Sequence, residues 1–206
     1  MFDVKIVNGI IVDGTGNSRY KSDVGIVGDK IMAIGDLSQK EAKETIDATG
    51  KFVSPGFIDF HTHSDLSLVY DKYTRSRIHT GVTTDVIANC GIGVAPIREE
   101  KKQELIDYLG TRIIGTIPTK LELHWNTMQE YFDYLTENSP AVNVVAYVAQ
   151  GPVRINEMGF SKEPATLEQL KNMKLEVRKA MEAGCVALSS GLVYLPGAYT
   201  NKEEIA

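Results

Sequence analysis

The sequence predicts an α/β protein, with a small β domain over residues 1–54 followed by about four β/α units over residues 55–206. In the first region, short alternating strands are separated by turn dipeptides and no convincing helical period appears. After Pro55-Gly56, short apolar strands alternate with segments long enough to form helices. Such alternation indicates a parallel sheet. Both an open doubly wound sheet and one half of a (β/α)8 barrel fit the pattern.

The β domain is predicted from three pairs of short strands. The segments DVKIV and IIVD flank Asn8-Gly9, a dipeptide typical of two-residue hairpin turns. The segments DVGIV and KIMAIG flank Gly28-Asp29, which predicts a second hairpin. KETIDA and KFVS add two further short strands.

Four strands are predicted in the second region, for GFIDFHTH, VTTDVIANC, AVNVVAYVA and CVALSSGLVY. The third is almost continuously apolar, as expected of a strand buried on both faces. Helices are predicted for SLVYDKYTRSRIHTG, REEKKQELIDYLG, TMQEYFDYLTEN and TLEQLKNMKLEVRKAMEAG. The last two open with the capping boxes Thr127-x-x-Glu130 and Thr166-x-x-Gln169. Residues 111–125 show no regular pattern.

Composition excludes several classes of protein. The chain has 206 residues and a net charge of −5, and its basic residues are scattered, which argues against a nucleic-acid partner. No apolar run approaches the roughly 18 residues of a membrane span, and the N-terminus lacks the features of a signal peptide. Two cysteines cannot form a disulfide framework, so we expect a cytoplasmic protein.

The final residues, TNKEEIA, read as the start of a helix. Thr200 or Asn201 is a suitable N-cap, and acidic residues follow in the first turn. Because no C-cap follows, we expect the chain to belong to a longer protein.

Two of the four histidines, His61 and His63, lie in the segment PGFIDFHTHSD between the carboxylates of Asp59 and Asp65. On a strand, residues two apart point to the same face, so both imidazoles can converge on one ion. They also fall at the carboxyl end of the first parallel strand, where barrel active sites are built. The pattern favours a metal site over a pair of solvated histidines.

Cys90 closes the second predicted strand and precedes a glycine-rich turn, GIGVAP. A free cysteine is commonly a small buried apolar residue, but a thiolate at this strand end is also a good zinc ligand. Cys185 begins its strand, at the opposite end of the sheet, and is interpreted as structural. His79 and His124 are interpreted as structural or solvated.

The last motif is SSGLVYLPGAYT, in which Tyr194 precedes the turn Pro196-Gly197. Tyr194 either packs in a loop or presents its hydroxyl to a pocket at the strand ends. The position alone does not decide between these.

Taken together, PGFIDFHTHSD, GVTTDVIANCGIGVAP and GLVYLPGAYT resemble the N-acyl-D-amino-acid deacylase (D-aminoacylase) family of the amidohydrolase superfamily. The resemblance extends over nearly the whole chain. It implies a composite β-sandwich whose N-terminal part is residues 1–54, and a metal-dependent (β/α)8 barrel of which residues 55–206 form the first half. It also implies hydrolysis of N-acyl-D-amino acids, small-molecule substrates, to a carboxylate and a D-amino acid.

The resemblance further implies one or two zinc ions, with His61 and His63 as ligands from the first strand and Cys90 as the cysteine ligand. Tyr194 matches a tyrosine that binds the substrate carboxylate. Two more histidines and an aspartate that acts as general base would lie beyond residue 206, so we expect the 206-residue chain alone to be inactive. No catalytic base is identified within the chain.

One position departs from the family pattern, since relatives often have histidine where this chain has Gln150. Two alternative functions remain open. A cyclic amidase of the hydantoinase or dihydroorotase type is disfavoured because CVALSSGLVY lacks the lysine that such enzymes carbamylate. The second alternative is a non-catalytic half-barrel that serves as a binding module. Oligomeric state is not indicated by the sequence.

Overall fold

A computed structural model describes residues 1–112 and 122–206 of the chain. These residues divide into two compact units, Met1–Gly56 and Phe57–Ala206. The segment predicted to be irregular, residues 111–125, is partly outside this description because it includes residues 113–121.

The first unit is one five-stranded sheet. Its central strand, β1, pairs antiparallel with β2 and parallel with both β4 and β5, while β3 pairs with β2 at the edge. The strands are β1 (Phe2–Ile11), β2 (Tyr20–Val27), β3 (Lys30–Gly35), β4 (Ala42–Asp47) and β5 (Phe52–Val53).

The hairpin predicted at Asn8-Gly9 is wrong, whereas the turn at Gly28-Asp29 joins β2 to β3 as predicted. Asn8 does adopt the left-handed conformation of a turn residue, with φ of 63°. However, β1 continues through it, and the pairing of β1 with β2 shifts register between Ile6 and Gly9. The dipeptide interrupts the pairing as a bulge, and the Asn8 amide nitrogen donates to the side chain of Asp23 on the neighbouring strand.

The second unit contains two short parallel arrangements of strands. One has the order β6-β7-β8 and the other pairs β9 with β10. The strands are β6 (Phe57–Asp59), β7 (Val82–Ile87), β8 (Asn143–Ala146), β9 (Val148–Ala149) and β10 (Leu188–Ser189). The segment predicted as one long apolar strand is therefore two strands, divided at Tyr147.

Seven α-helices connect or follow these strands within the described residues. They are α1 (Ser67–Tyr70), α2 (Arg75–Ile78), α3 (Lys102–Arg112), α4 (Met128–Asn138), α5 (Gln150–Met158), α6 (Leu167–Glu182) and α7 (Lys202–Ile205). Both predicted capping boxes are present, at the start of α4 and of α6. Asn201 caps α7, as expected from the sequence. None of the described helices is both long enough and apolar enough to cross a membrane.

Two helices differ from the sequence-based expectation. The helix predicted after the first strand is broken into α1 and α2, because Thr74 adopts a left-handed conformation with φ of 42° between them. Helix α5 was not predicted. It begins with Gln150-Gly151-Pro152, and proline is tolerated there because the amide groups of the first turn have no partner within the helix.

A buried core supports the carboxyl ends of the parallel strands. Trp125 and Tyr131 are each 1% exposed and lie 4.9 Å apart, measured between ring centroids. The indole nitrogen of Trp125 donates a hydrogen bond to the backbone oxygen of Val94, at 2.8 Å. Since residues 91–97 are all buried, the segment that follows Cys90 is anchored in the core.

Candidate metal centre

His61 and His63 lie just beyond the strand on which the sequence placed them. Strand β6 ends at Asp59, and both imidazoles are on the segment that follows. The alternation of faces expected of a strand therefore does not explain their proximity. Their ring centroids are nevertheless 5.6 Å apart, with the rings at 67° to each other. His61 is exposed and His63 is half-buried.

Cys90 lies beyond the end of β7, in a single turn of 3-10 helix over Asn89–Gly91. Because β6 and β7 are parallel, their carboxyl ends meet at one edge of the sheet. The turn thus faces the histidine segment, and the Nε2 atom of His61 lies 3.1 Å from the Sγ atom of Cys90. Cys90 is half-buried.

The potential ligand atoms of His61, His63 and Cys90 all lie within 4.8 Å of one another. In tetrahedral zinc coordination, bonds of about 2.0–2.1 Å to nitrogen and about 2.3 Å to sulfur separate those two donors by about 3.5 Å. The His61–Cys90 separation of 3.1 Å is close to this value, and no pair of potential ligand atoms in the cluster is more than 4.8 Å apart. Two imidazoles and a thiol are also donors that zinc accepts well, so the residues present fit a zinc ion.

His63 is suited to bind a metal as a neutral imidazole. Burial lowers the pKa of His63 below its ordinary value, and the charge of His61 acts in the same direction. Its Nδ1 atom is buried and has no hydrogen-bond partner among the described residues. Since a metal ion binds the unprotonated ring, a lowered pKa leaves more of the side chain ready to bind at neutral pH.

Buried carboxyl groups lie beneath the histidine segment. Asp85, on β7, is fully buried and accepts a hydrogen bond of 2.6 Å from the hydroxyl of Ser64. Arg77 contacts both Asp85, at 3.4 Å, and Asp59, at 2.7 Å. Burial raises the pKa of the Asp65 carboxyl to about 7. The sequence reasoning did not identify Asp85 or Arg77, although an aspartate within a buried strand is itself a signal.

Asn89 links the Cys90 turn to the histidine segment. Its side-chain nitrogen donates to the backbone oxygen of Val86 at 2.8 Å and to that of Thr62 at 3.3 Å. Thr62 lies between His61 and His63 in the sequence. Its hydroxyl donates to Val86 in turn, so one buried carbonyl serves both halves of the cluster.

The structure brings Tyr194 to the vicinity of Cys90. A Cβ atom added to Gly191 would overlap the carbonyl oxygen of Cys90 and would lie 3.0 Å from the Cδ2 atom of the Tyr194 ring. Tyr194 is half-buried and packs against the core. The loop that carries this tyrosine therefore passes directly over the Cys90 turn.

Gln150, where relatives often have histidine, is buried at the start of α5. Its amide nitrogen donates to the hydroxyl of Thr200 at 2.6 Å and to Glu204 at 3.3 Å. Glu204 also pairs with the fully buried Arg154, at 2.8 Å. Here the glutamine holds the α7 segment in a buried polar network that the sequence did not reveal.

The other histidines and the second cysteine stay outside the cluster. His79 is exposed at the end of α2. His124 is exposed and stacks on Tyr134, with centroids 5.8 Å apart. Cys185 is buried, and burial raises the pKa of its thiol to about 12. These positions agree with the structural or solvated roles expected for them.

The fold and the cluster define an α/β protein with potential metal ligands grouped at the carboxyl ends of neighbouring parallel strands. The profile of the amidohydrolase family matches residues 44–158, more than half of the chain. The chain belongs to this family, and its resemblance to the D-aminoacylase branch is confirmed by the relatives described next.

The chain is 34% identical over 204 residues to the D-aminoacylase of Alcaligenes xylosoxydans xylosoxydans, covering 99% of this chain and 40% of that protein. A solved D-aminoacylase, whose binuclear metal centre has been studied, superposes with a TM-score of 0.87 at 33% identity, covering 100% of this chain and 42% of the other. An N-acyl-D-glutamate deacylase from Bordetella bronchiseptica, solved with zinc and a phosphonate inhibitor, gives a TM-score of 0.86 at 34% identity, with coverage of 99% and 41%. These likenesses confirm the predicted fold class.

Proposed function

We propose that His61, His63 and Cys90 form a zinc site, and that the whole protein hydrolyses the amide bond of N-acyl-D-amino acids to a carboxylate and a D-amino acid. The convergence of the three ligand atoms within 4.8 Å is the observation that carries the proposal. The activities of the relatives give the substrate class. The chain spans about 40% of the length of the curated relatives that it matches, so the activity belongs to the whole protein.

The residues of this chain would contribute binding and orientation. A zinc ion held at this cluster acidifies water and polarises a carbonyl group. His61 and His63 offer neutral nitrogens, Cys90 offers a thiolate, and the buried network under the histidines limits their movement. We assign Tyr194 to the substrate carboxylate because its loop lies over the Cys90 turn. No residue of this chain is assigned as the general base.

The proposal includes one or two zinc ions and a two-part organisation. Residues 1–54 would form part of a composite β-sandwich, and residues 55–206 would form part of a metal-dependent (β/α)8 barrel. A reducing cytoplasmic location is supported by the free state of both cysteines, Cys90 and Cys185.

Metal analysis tests the site. After zinc loading and dialysis, the wild-type chain is expected to retain about one zinc, because three suitable donors converge. The Cys90→Ser variant should lose most of that zinc, whereas Cys185→Ser, which alters a buried thiol away from the cluster, should retain it. A wild-type chain that retains no zinc would instead favour a non-catalytic binding module.

Activity assays of the whole protein test the reaction. The panel comprises N-acyl-D-amino acids, their L-enantiomers, a hydantoin and dihydroorotate. We expect metal-dependent hydrolysis of the D-substrates alone. Turnover of the cyclic amides without turnover of the D-substrates would assign the protein to the cyclic amidases.

A further inference from the structure

The turn that carries Cys90 has an unfavourable backbone conformation. Ala88 has φ of 61° and ψ of 40°, and Cys90 has φ of 56° and ψ of 24°. Both lie in the left-handed region, and this conformation costs free energy for every residue other than glycine. Two such residues so close together persist only where surrounding contacts hold them.

Contacts within the turn account for part of this restraint. The amide nitrogen of Ile92 donates to the backbone oxygen of Asn89 at 2.9 Å. The side chain of Asn89 fastens the base of the turn to β7 through Val86. Neither contact involves the carbonyl of Ala88 or the amide of Gly91, the backbone groups on the two sides of the Asn89–Cys90 pair.

Ser189, at the end of β10, bonds to both of those groups. Its hydroxyl donates to the backbone oxygen of Ala88 and accepts a hydrogen bond of 3.0 Å from the amide nitrogen of Gly91. One side-chain oxygen therefore closes the turn across Cys90. The serine comes from a strand that is 98 residues further along the chain than Gly91.

Two glycines allow the segment after β10 to approach this closely. A Cβ atom added to Gly91 would lie 2.9 Å from the amide nitrogen of Gly191. One added to Gly191 would overlap the carbonyl oxygen of Cys90. The segment at residues 189–191 thus lies in direct backbone contact with the Cys90 turn.

We propose that Ser189 is a positioning residue for the metal site, whose hydroxyl holds the Ala88–Gly91 turn in the conformation that directs the Cys90 sulfur toward His61. The part of this proposal that concerns the metal rests on the proposed function. Ser189 itself is not assigned as a ligand and is not placed in contact with substrate.

The variants Ser189→Ala, Ser189→Thr and Ser190→Ala test the role of the hydroxyl. The first removes both hydrogen bonds, the second retains a hydroxyl, and the third alters the exposed neighbour of Ser189. Each is loaded with cobalt(II), and the affinity is measured together with the near-ultraviolet charge-transfer band between sulfur and cobalt. Cys90→Ser identifies that band by abolishing it.

We expect Ser189→Ala to raise the dissociation constant for cobalt roughly 10- to 100-fold, as loss of a group that orients a ligand does elsewhere, and to weaken the charge-transfer band. Ser189→Thr should restore affinity and band, and Ser190→Ala should match the wild type. Wild-type affinity and spectrum in Ser189→Ala would overturn the proposal.

A metal-free measurement separates this proposal from the zinc assignment. In the apo protein, release of the turn by Ser189→Ala should raise the rate of Cys90 alkylation several-fold relative to Ser190→Ala. The same increase with no cobalt binding in the wild type would retain the positioning role and reject the metal site. Equal alkylation rates in the two variants would reject the positioning role.

Discussion

The two halves of the cluster are held in different ways. Both halves are followed by buried residues, but the Cys90 half is also closed by Ser189, with Asn89 fixed at its base. The histidine half, His61 and His63, follows β6, a three-residue strand at the edge of its sheet. His61 itself is exposed. Phe60, immediately before His61, is 67% exposed.

The thiol and the two imidazoles of the cluster are therefore held in place by different kinds of contact. The turn on the thiol side has two left-handed residues and is closed by a side chain 98 residues further along the chain than Gly91. The segment that carries the imidazoles is held by polar contacts. Chief among them are the ion pairs of Arg77 with Asp59 and Asp85, and the hydrogen bond from the Thr62 hydroxyl to Val86. We therefore expect Cys90 to define the position of the proposed site, and His61 and His63 to adjust to it.

The largest expected contrast is in amide hydrogen exchange. The amide of Gly91, bonded to Ser189, should exchange at least about 100-fold more slowly than that of His61, which donates only to the side chain of Asp59 at 3.3 Å. NMR measures both rates in one sample, and the buried Leu109 of α3 provides a slow reference. Similar rates at Gly91 and His61 would remove the distinction between the two halves.

Gly191→Ala should cause the largest loss of stability on the cysteine side. Its new methyl group would overlap the carbonyl of Cys90, so we expect a loss of about 3 kcal/mol in the free energy of unfolding. Urea unfolding followed by the fluorescence of Trp125, the single tryptophan, measures this change.

Gly110→Ala is the matched control for this substitution. Gly110 lies in α3, and an added methyl group there meets nothing within 4 Å. Its replacement should stabilise the helix by roughly 0.5–1 kcal/mol. If Gly191→Ala does not lower the free energy of unfolding, or lowers it by no more than the size of the change in Gly110→Ala, residues 189–191 do not press on the turn.

Arg77→Met tests the histidine side. The change leaves the buried Asp85 without its cationic neighbour, and breaking a buried ion pair is strongly destabilising. Because Arg77 is 30% exposed, solvent offsets part of the loss, and we expect about 2 kcal/mol. Arg75→Met, an exposed residue of the same helix, should change stability by less than about 0.5 kcal/mol. Equal effects would mean that the histidine segment does not depend on this pair.

Asn89→Ala should have the smallest effect, about 1–2 kcal/mol, through loss of two hydrogen bonds to buried carbonyl groups. The control is Asn143→Ala, which removes one exposed hydrogen bond to the Thr83 carbonyl. A shift in the NMR signals of His61 and His63 would show that the asparagine couples the halves. Unchanged histidine signals despite the loss of stability would confine its role to the cysteine turn.

The proposed ligand residues could be predicted from the sequence because they follow neighbouring parallel strands, whose carboxyl ends meet even when the exact ends of the strands are unknown. Thus His61, His63 and Cys90 come together even though β6 stops at Asp59 and the expected alternation of faces does not apply.

The conformation of the cysteine turn was not accessible in this way. Neither alanine nor cysteine favours left-handed backbone, so Ala88 and Cys90 carry no local signal of it. The stabilising partner, Ser189, is distant in sequence and is one of two adjacent serines. A contrasting case is Asn8, whose local preference for a positive φ was read correctly but whose result, a bulge or a turn, was decided by pairing with β2.

The distance along the chain between Ser189 and the turn that it closes has a consequence for biosynthesis. About 99 residues must be translated after Cys90 before Ser189 emerges, which takes roughly 5–20 s at common elongation rates. Throughout that interval the nascent cysteine turn lacks the contact that fixes its shape. Neither of the hydrogen bonds that Ser189 makes to Ala88 and Gly91 can form until then. Under the proposed function, any metal ion bound by Cys90 during this interval would be bound before the turn has its final support.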